Sequence, residues 1–299
     1  MEFKEKLKEY QLLVNKELEK YVRKNDCYEK ILNNSIEYSL MAGGKRLRAI
    51  LVMDTYKLFK RDFEKCIPFA MALEMIHNFS LIHDDLPEID NDDFRHGKPT
   101  NHKQFNHATA LLAGDALFNQ AYMVISKELL IDIQKCNYKD LNRKVRVFNE
   151  LSIAIDRMVA GEYLDTELEN KEISKELLQY IHENKTGALL KLSVRMGAIL
   201  AGAPEEDIQR LSDFADKIGL AFQIKDDILS EEGDQEVMGK PVGNDKERNK
   251  CTYVSFYGLE NAKKVLDRII EEALEYLKSY GEEAEFLREL TYYIKNRDK

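Results

Sequence analysis

The chain has 299 residues, of which 44% are hydrophobic and 33% charged, and its net charge is −9. That balance excludes a disordered or fibrous chain, and the length is enough to bury roughly three-quarters of the surface the unfolded chain exposes. The acidity disfavours general nucleic-acid binding, which calls for basic surfaces.

Cys27, Cys66, Cys136 and Cys251 are far apart in no metal-ligand spacing, which points away from a zinc site or disulfide framework. The N-terminus MEFKEKLKEY is charged and lacks the apolar core of a signal peptide. No apolar run approaches the roughly 18 residues of a membrane span; the run from Gly187 to Ala203 is interrupted by Lys191 and Arg195. The expectation is a cytoplasmic protein without a membrane span.

In chain order the pattern is helical throughout. Leu7, Leu12, Val14 and Leu18 recur at about helical spacing, and the same period predicts helices over 27–41, 45–60, 67–85, 107–127, 143–170, 174–202, 205–230 and 259–296. The strand signature, sustained alternation, is not evident. Pro68, Pro87, Pro99, Pro204 and Pro241 each fall where a helix should start or stop. The prediction is an all-α fold. Two polar stretches, 86–106 and 232–250, read as irregular, and no repeat or flexible linker separates domains.

Each irregular stretch follows paired aspartates. In HNFSLIHDDLPEIDNDD, Asp84 and Asp85 precede Pro87, and Asp90, Asp92 and Asp93 follow; in GLAFQIKDDILSEEGD, Gln223, Asp226 and Asp227 share a face. Adjacent carboxylates at a helix C-terminus repel one another and face the negative end of the helix dipole, so a cation should compensate. Mg2+ suits such oxygen donors, because it keeps waters and is completed by substrate phosphates. A single aspartate pair in so acidic a chain is more often a solvated helix end; two pairs, each on a strongly apolar helix, argue for a lined cavity.

Positive charge is concentrated locally. In AGGKRLRAI, Gly43 and Gly44 end one helix, and Lys45, Arg46 and Arg48 open the next, a place that attracts anions. Ordinary capping explains that segment equally well when it is taken alone. Arg95, His96 and Lys98 follow the first acidic cluster, Lys185 and Thr186 lie in NKTGALL, and Lys240 lies in GKPVGND. His77 on its apolar face reads by itself as a core histidine.

Taken in order, the segments GGKRLR, EMIHNFSLIHDDLPEIDNDDFRHGKPT, AGDALF, KTGALL, GLAFQIKDDIL, GKPVGND, TYVSFYGLE and the ending YYIKNRDK resemble the trans-isoprenyl diphosphate synthases, in their bacterial farnesyl diphosphate synthase (geranyltranstransferase) branch. The resemblance spans almost the whole chain. It implies a single domain over 1–299, an isoprenoid synthase helical bundle around a deep central cavity, and a homodimer. It implies head-to-tail condensation of isopentenyl diphosphate with dimethylallyl or geranyl diphosphate to give farnesyl diphosphate. Asp84, Asp85 and Asp90 with Asp226 and Asp227 would hold three Mg2+ ions. Arg95, Lys185 and Lys240 would bind the allylic diphosphate, and Lys45, Arg48, His77 and His96 isopentenyl diphosphate. Thr186 and Gln223 would face the developing cation, and Phe79 would form the cavity floor that stops growth at fifteen carbons.

Three departures from the family pattern surround these positions. His96 stands where the family has a second arginine, Ser230 stands in place of the last aspartate of the second motif, and Glu162 replaces glutamine in GEYLD, with Asp165 kept. They leave open a second reading, a low-activity or inactive subunit of a heteromeric synthase. A terpene cyclase would explain the aspartates but not GGKRLR.

Overall fold

The computed structural model describes residues 2–22, 28–232 and 251–297. Lys240 therefore lies outside the described residues. The chain forms two compact units, Met1–Met53 with Asp62–Val145 and Asp54–Arg61 with Arg146–Lys299.

The first unit is built on α1 (Phe3–Glu19), α2 (Lys30–Leu40), α4 (Ile67–Asp84) and α6 (His107–Gln134), with the start of α3 (Leu47–Lys57), a 3-10 turn (Glu64–Cys66), a short α5 (Asn101–Gln104) and the start of α7 (Tyr138–Glu167). Helix α4 carries Pro68 in its first turn, where a missing N–H costs nothing, and is buried on nearly every side from Phe69 to Ile76. It packs chiefly on α6. Helix α6 starts at Asn106, whose Oδ1 accepts from the Thr109 N–H at 2.8 Å.

The second unit carries the rest of α7, then α8 (Lys175–His182), a π-helical turn (Glu183–Gly187), α9 (Ala188–Ala201), α10 (Glu205–Glu232), α11 (Tyr253–Tyr257), α12 (Leu259–Tyr276), a 3-10 segment (Lys278–Ala284) and α13 (Glu285–Asn296). Helix α9 ends at Gly202 in a Schellman motif: Ala203 N–H donates to Ala198 O at 3.0 Å and Gly202 N–H to Ile199 O at 2.9 Å. Helix α10 packs on α9, α12 and α13.

The all-α expectation is borne out, with local differences. The stretch 86–106 contains a two-residue hairpin, β1 (Phe94–Arg95) with β2 (Lys98–Pro99), turning through His96 and Gly97 at φ 53° and 75°. Positive φ at both central residues is what a two-residue hairpin turn needs, and strands this short leave no readable alternation. The predicted helix over 174–202 is interrupted by the π-helical turn, and the one over 259–296 by the 3-10 segment, where Gly281 leaves helical geometry. Helix α10 continues to Glu232, so Asp226 and Asp227 lie inside its last two turns rather than at its end.

Candidate active site

In the first unit the site begins where α4 stops. Asp84 is the last residue of α4, and Asp90 N–H donates to Asp84 O at 2.8 Å, which brings two residues six apart in sequence side by side. Both aspartates are half-buried, and Asp85 is only 3% exposed. Arg95, at the end of β1, grips Asp85: its Nε donates to Oδ1 and Oδ2 at 2.8 Å, and its Nη2 to Oδ1 at 2.5 Å. Burial works against the Arg95 charge, but the hydrogen bonds and charge of Asp85 outweigh it and raise the pKa.

The hairpin that carries Arg95 is anchored from α2. Asn101 Oδ1 accepts from Ser35 Oγ at 2.7 Å, while Asn101 Nδ2 donates to Ser39 Oγ at 2.7 Å. Tyr38 Oη donates to Pro99 O at 2.8 Å. A small concavity opens beside it, lined among others by Tyr38, Asn78, Asp85, Arg95, His96 and Lys98. The sequence marks Asn101 only as one polar residue among many in a loop, so its role was not legible there.

Lys45 and Arg46 lie ahead of α3 rather than in it, and Arg48 falls in its first turn. Gly43 and Gly44 adopt φ 106° and 103°, outside ordinary L-residue geometry, and lead the chain into this approach. A Cβ on Gly44 would stand 3.4 Å from His96 Nε2, so the glycine segment and the hairpin tip meet. Arg46 is turned inward, donating to Asn15 Oδ1 at 3.0 Å and Leu40 O at 2.5 Å and standing 3.6 Å from the buried Glu74. It is a structural ion, whereas Arg48 Nη1 donates to His77 Nε2 at 2.9 Å. That bond requires His77 Nε2 to carry no proton. Burial first, then the charges of Arg48, Arg95, Arg46 and His96, depress the His77 pKa well below 6.5. Burial also brings the Arg48 guanidinium down to about 10, opposed by Glu74 and Asp84.

One turn above Asp84, Phe79 heads an aromatic ladder. Its ring meets His83 edge-on at 4.9 Å and Phe118 of α6 at 5.1 Å, and Phe118 meets Tyr122 at 5.1 Å. His83 Nε2 is 3.1 Å from Leu111 O, and its ring covers Gly114, where any Cβ would stand 2.2 Å from it.

In the second unit, Asp226 Oδ1 accepts from Arg297 Nη2 at 2.6 Å. Arg297 also donates to Phe222 O at 2.9 Å and stacks on the Phe222 ring at 3.9 Å. This pairing spans 71 residues, and no local sequence signal could have found it. Asp227 is buried and its Oδ2 accepts from Tyr253 N–H at 2.7 Å, tying α10 to the start of α11. Gln223 and Thr186 are half-buried on α10 and in the π-helical turn. Lys185, in the same turn, is held by Asp165 Oδ2 at 2.7 Å and by Glu162 at 2.8 Å.

Both aspartate groups offer only carboxylate oxygens, the donors Mg2+ prefers. Among the described residues no three His, Cys, Asp or Glu side chains converge closely enough to hold an ion unaided. The donor chemistry, carboxylate oxygens alone, is of the kind that Mg2+ takes.

Residues 29–289 match the family described as Polyprenyl synthetase. Farnesyl diphosphate synthase of Bacillus subtilis is 43% identical over 95% of this chain and 95% of its own. Geranylgeranyl diphosphate synthase of Cyanophora paradoxa is also 43% identical, over 89% of this chain and 87% of its own. Among solved structures, an FPP/GFPP synthase from Zymomonas mobilis superposes with a TM-score of 0.85 at 33% identity, covering 98% of both chains.

Proposed function

Because this chain belongs to the polyprenyl synthetase family, we propose that it condenses isopentenyl diphosphate head-to-tail with dimethylallyl or geranyl diphosphate, releasing diphosphate and giving farnesyl diphosphate. The observation that carries this reading is the 43% identity to the farnesyl diphosphate synthase of Bacillus subtilis over nearly its whole length. Equal identity to a geranylgeranyl diphosphate synthase means that overall likeness does not select the product, so the fifteen-carbon limit rests on Phe79 and its ladder.

Asp84, Asp85 and Asp90, with Asp226 and Asp227, would hold Mg2+, three ions once the diphosphate is bound. When bound, the metal supplies Lewis-acid stabilisation of the charge that collects on the leaving diphosphate. Arg95, Lys185 and Lys240 bind the allylic diphosphate, and Arg95 exchanges part of its grip on Asp85 for phosphate oxygens. Lys45, Arg48, His77 and His96 bind isopentenyl diphosphate. Neutral His77, an acceptor from Arg48, fixes the guanidinium fork in position for phosphate. Thr186 and Gln223 turn dipoles toward the allylic cation, which the apolar surroundings keep from water. Phe79 blocks a longer chain by its bulk.

No helix among the described residues is long and apolar enough to cross a membrane, and the reading places the protein in the cytoplasm as a homodimer. The test is a product assay with isopentenyl diphosphate and either allylic starter, read by mass spectrometry with and without EDTA. A metal-dependent fifteen-carbon diphosphate is the expected result. Folded protein that makes no product from either starter would instead favour a subunit that needs a different partner chain.

A further inference from the structure

Arg46 stands between Lys45 and Arg48 in sequence, yet its side chain points into the protein. It is 3% exposed, and the backbone holds φ 55°, the left-handed region that is unfavourable for an L-residue. Such a conformation persists only where the surroundings over-determine it. Three helices do so here. Arg46 Nε donates to Asn15 Oδ1 of α1 at 3.0 Å, Nη2 donates to Leu40 O at the end of α2 at 2.5 Å, and Nη1 stands 3.6 Å from Glu74 Oε2 of α4. Arg46 O accepts from Ile50 N–H at 3.1 Å, closing the first turn of α3. The Glu74 side chain is 1% exposed, and its Oε1 accepts from Ala49 N–H of that same turn at 3.2 Å. Its charge also favours the Arg48 guanidinium ion. Three residues further along α4, on the same face, His77 Nε2 accepts from Arg48 Nη1 at 2.9 Å. Two links therefore tie the start of α3 to one face of α4: Arg46 and Ala49 on Glu74, and Arg48 on His77. The first link fixes the height at which the second forms.

We propose that Arg46, through its buried pairing with Glu74, is a positioning residue for isopentenyl diphosphate: it holds the start of α3 in the register on α4 that sets Arg48 against His77. This rests on the reading above that Arg48 binds that diphosphate. Arg46 itself is too deeply buried to touch substrate. A guanidinium binds phosphate best as a planar fork, so a shift of α3 that loosens Arg48 from His77 misaims the fork without removing its charge. The allylic diphosphate, which the same reading gives to Arg95, Lys185 and Lys240, draws on none of these residues. The effect of Arg46 is therefore confined to one of the two substrates.

The experiment compares wild type with Arg46→Gln, with the double variant Arg46→Gln and Glu74→Gln, and with Arg48→Gln. Steady-state kinetics give kcat and the separate Michaelis constants for isopentenyl diphosphate and geranyl diphosphate. NMR of protein labelled in its histidine ring nitrogens follows the His77 Nε2 signal. Arg46→Gln is expected to raise the isopentenyl diphosphate constant about tenfold, with a smaller change in kcat and an unchanged constant for geranyl diphosphate. Its His77 signal should move toward the position it takes in Arg48→Gln, a shift that lost stability alone would not produce. The double variant leaves neither buried ion without its partner, so it keeps the test decisive if the single variant folds poorly, and it should show the same selective rise. An unchanged isopentenyl diphosphate constant or an unmoved His77 signal in both Arg46 variants would overturn the role of Arg46, and so would an equal rise in both Michaelis constants. Arg48→Gln checks the reading beneath it: an unchanged isopentenyl diphosphate constant there would overturn that reading and the proposal with it.

Discussion

At the scale of single residues, Asp85, Lys185 and Asp226 are each held by a charged partner, Arg95, Glu162 with Asp165, and Arg297. Asp84→Ala or Asp226→Ala should lower turnover by orders of magnitude while circular dichroism stays helical; near-normal rates would remove that residue from metal binding. Asp226 is bound by Arg297, which a cation must displace or share. Arg297→Gln should therefore shift a Mn2+ titration, followed by electron paramagnetic resonance, to roughly threefold lower concentration, and an unshifted curve would show that the guanidinium does not compete. His77 gives a pH dependence of known sign. Its folded-state pKa lies well below 6.5, so the unfolded chain takes up a proton that the folded chain refuses. Stability is then full above about pH 6.5 and falls as the pH drops through that value. Urea unfolding at about pH 7.5 and 5.5 should show the loss, and His77→Gln should reduce it.

At the scale of elements, the interface of α4 with α6 sets the geometry near the first aspartates. Phe79, Phe118 and Tyr122 form a ladder of rings, and His83 closes over Gly114. Phe79→Ala removes the first ring and should yield products longer than fifteen carbons by mass spectrometry; an unchanged product would place the floor elsewhere. Helix existence and extent were largely legible, because apolar residues at 3.6-residue spacing and well-placed prolines leave few alternatives. The π-helical turn and the small hairpin were not. Each depends on which backbone groups find partners in the folded chain rather than on a local pattern.

At the scale of the whole molecule, α6 bears a straight apolar stripe. Leu112, Met123 and Leu130 are each more than half exposed and recur at 11 and 7 residues, almost in line along roughly 30 Å of helix. A second copy of the chain is the occupant the homodimer reading calls for. Sedimentation velocity should give a dimer for the native protein, and Met123→Glu with Leu130→Glu should shift it to monomer. A native monomer, or a variant that stays dimeric, would count against this face.

From the residues alone, two carboxylate groups, four basic segments and an all-α chain were visible, because each is written in contiguous motifs whose chemistry is local. The family resemblance rested on those same motifs, and likeness over residues 29–289 bears it out. Folding decided which charges meet: Arg95 with Asp85, Arg48 with His77, Glu162 and Asp165 with Lys185, and Arg297 with Asp226. Those pairings join residues 10 to 71 apart. They follow from where packed helices place their side chains, and a hydrophobic period does not encode which face of one helix meets which face of another.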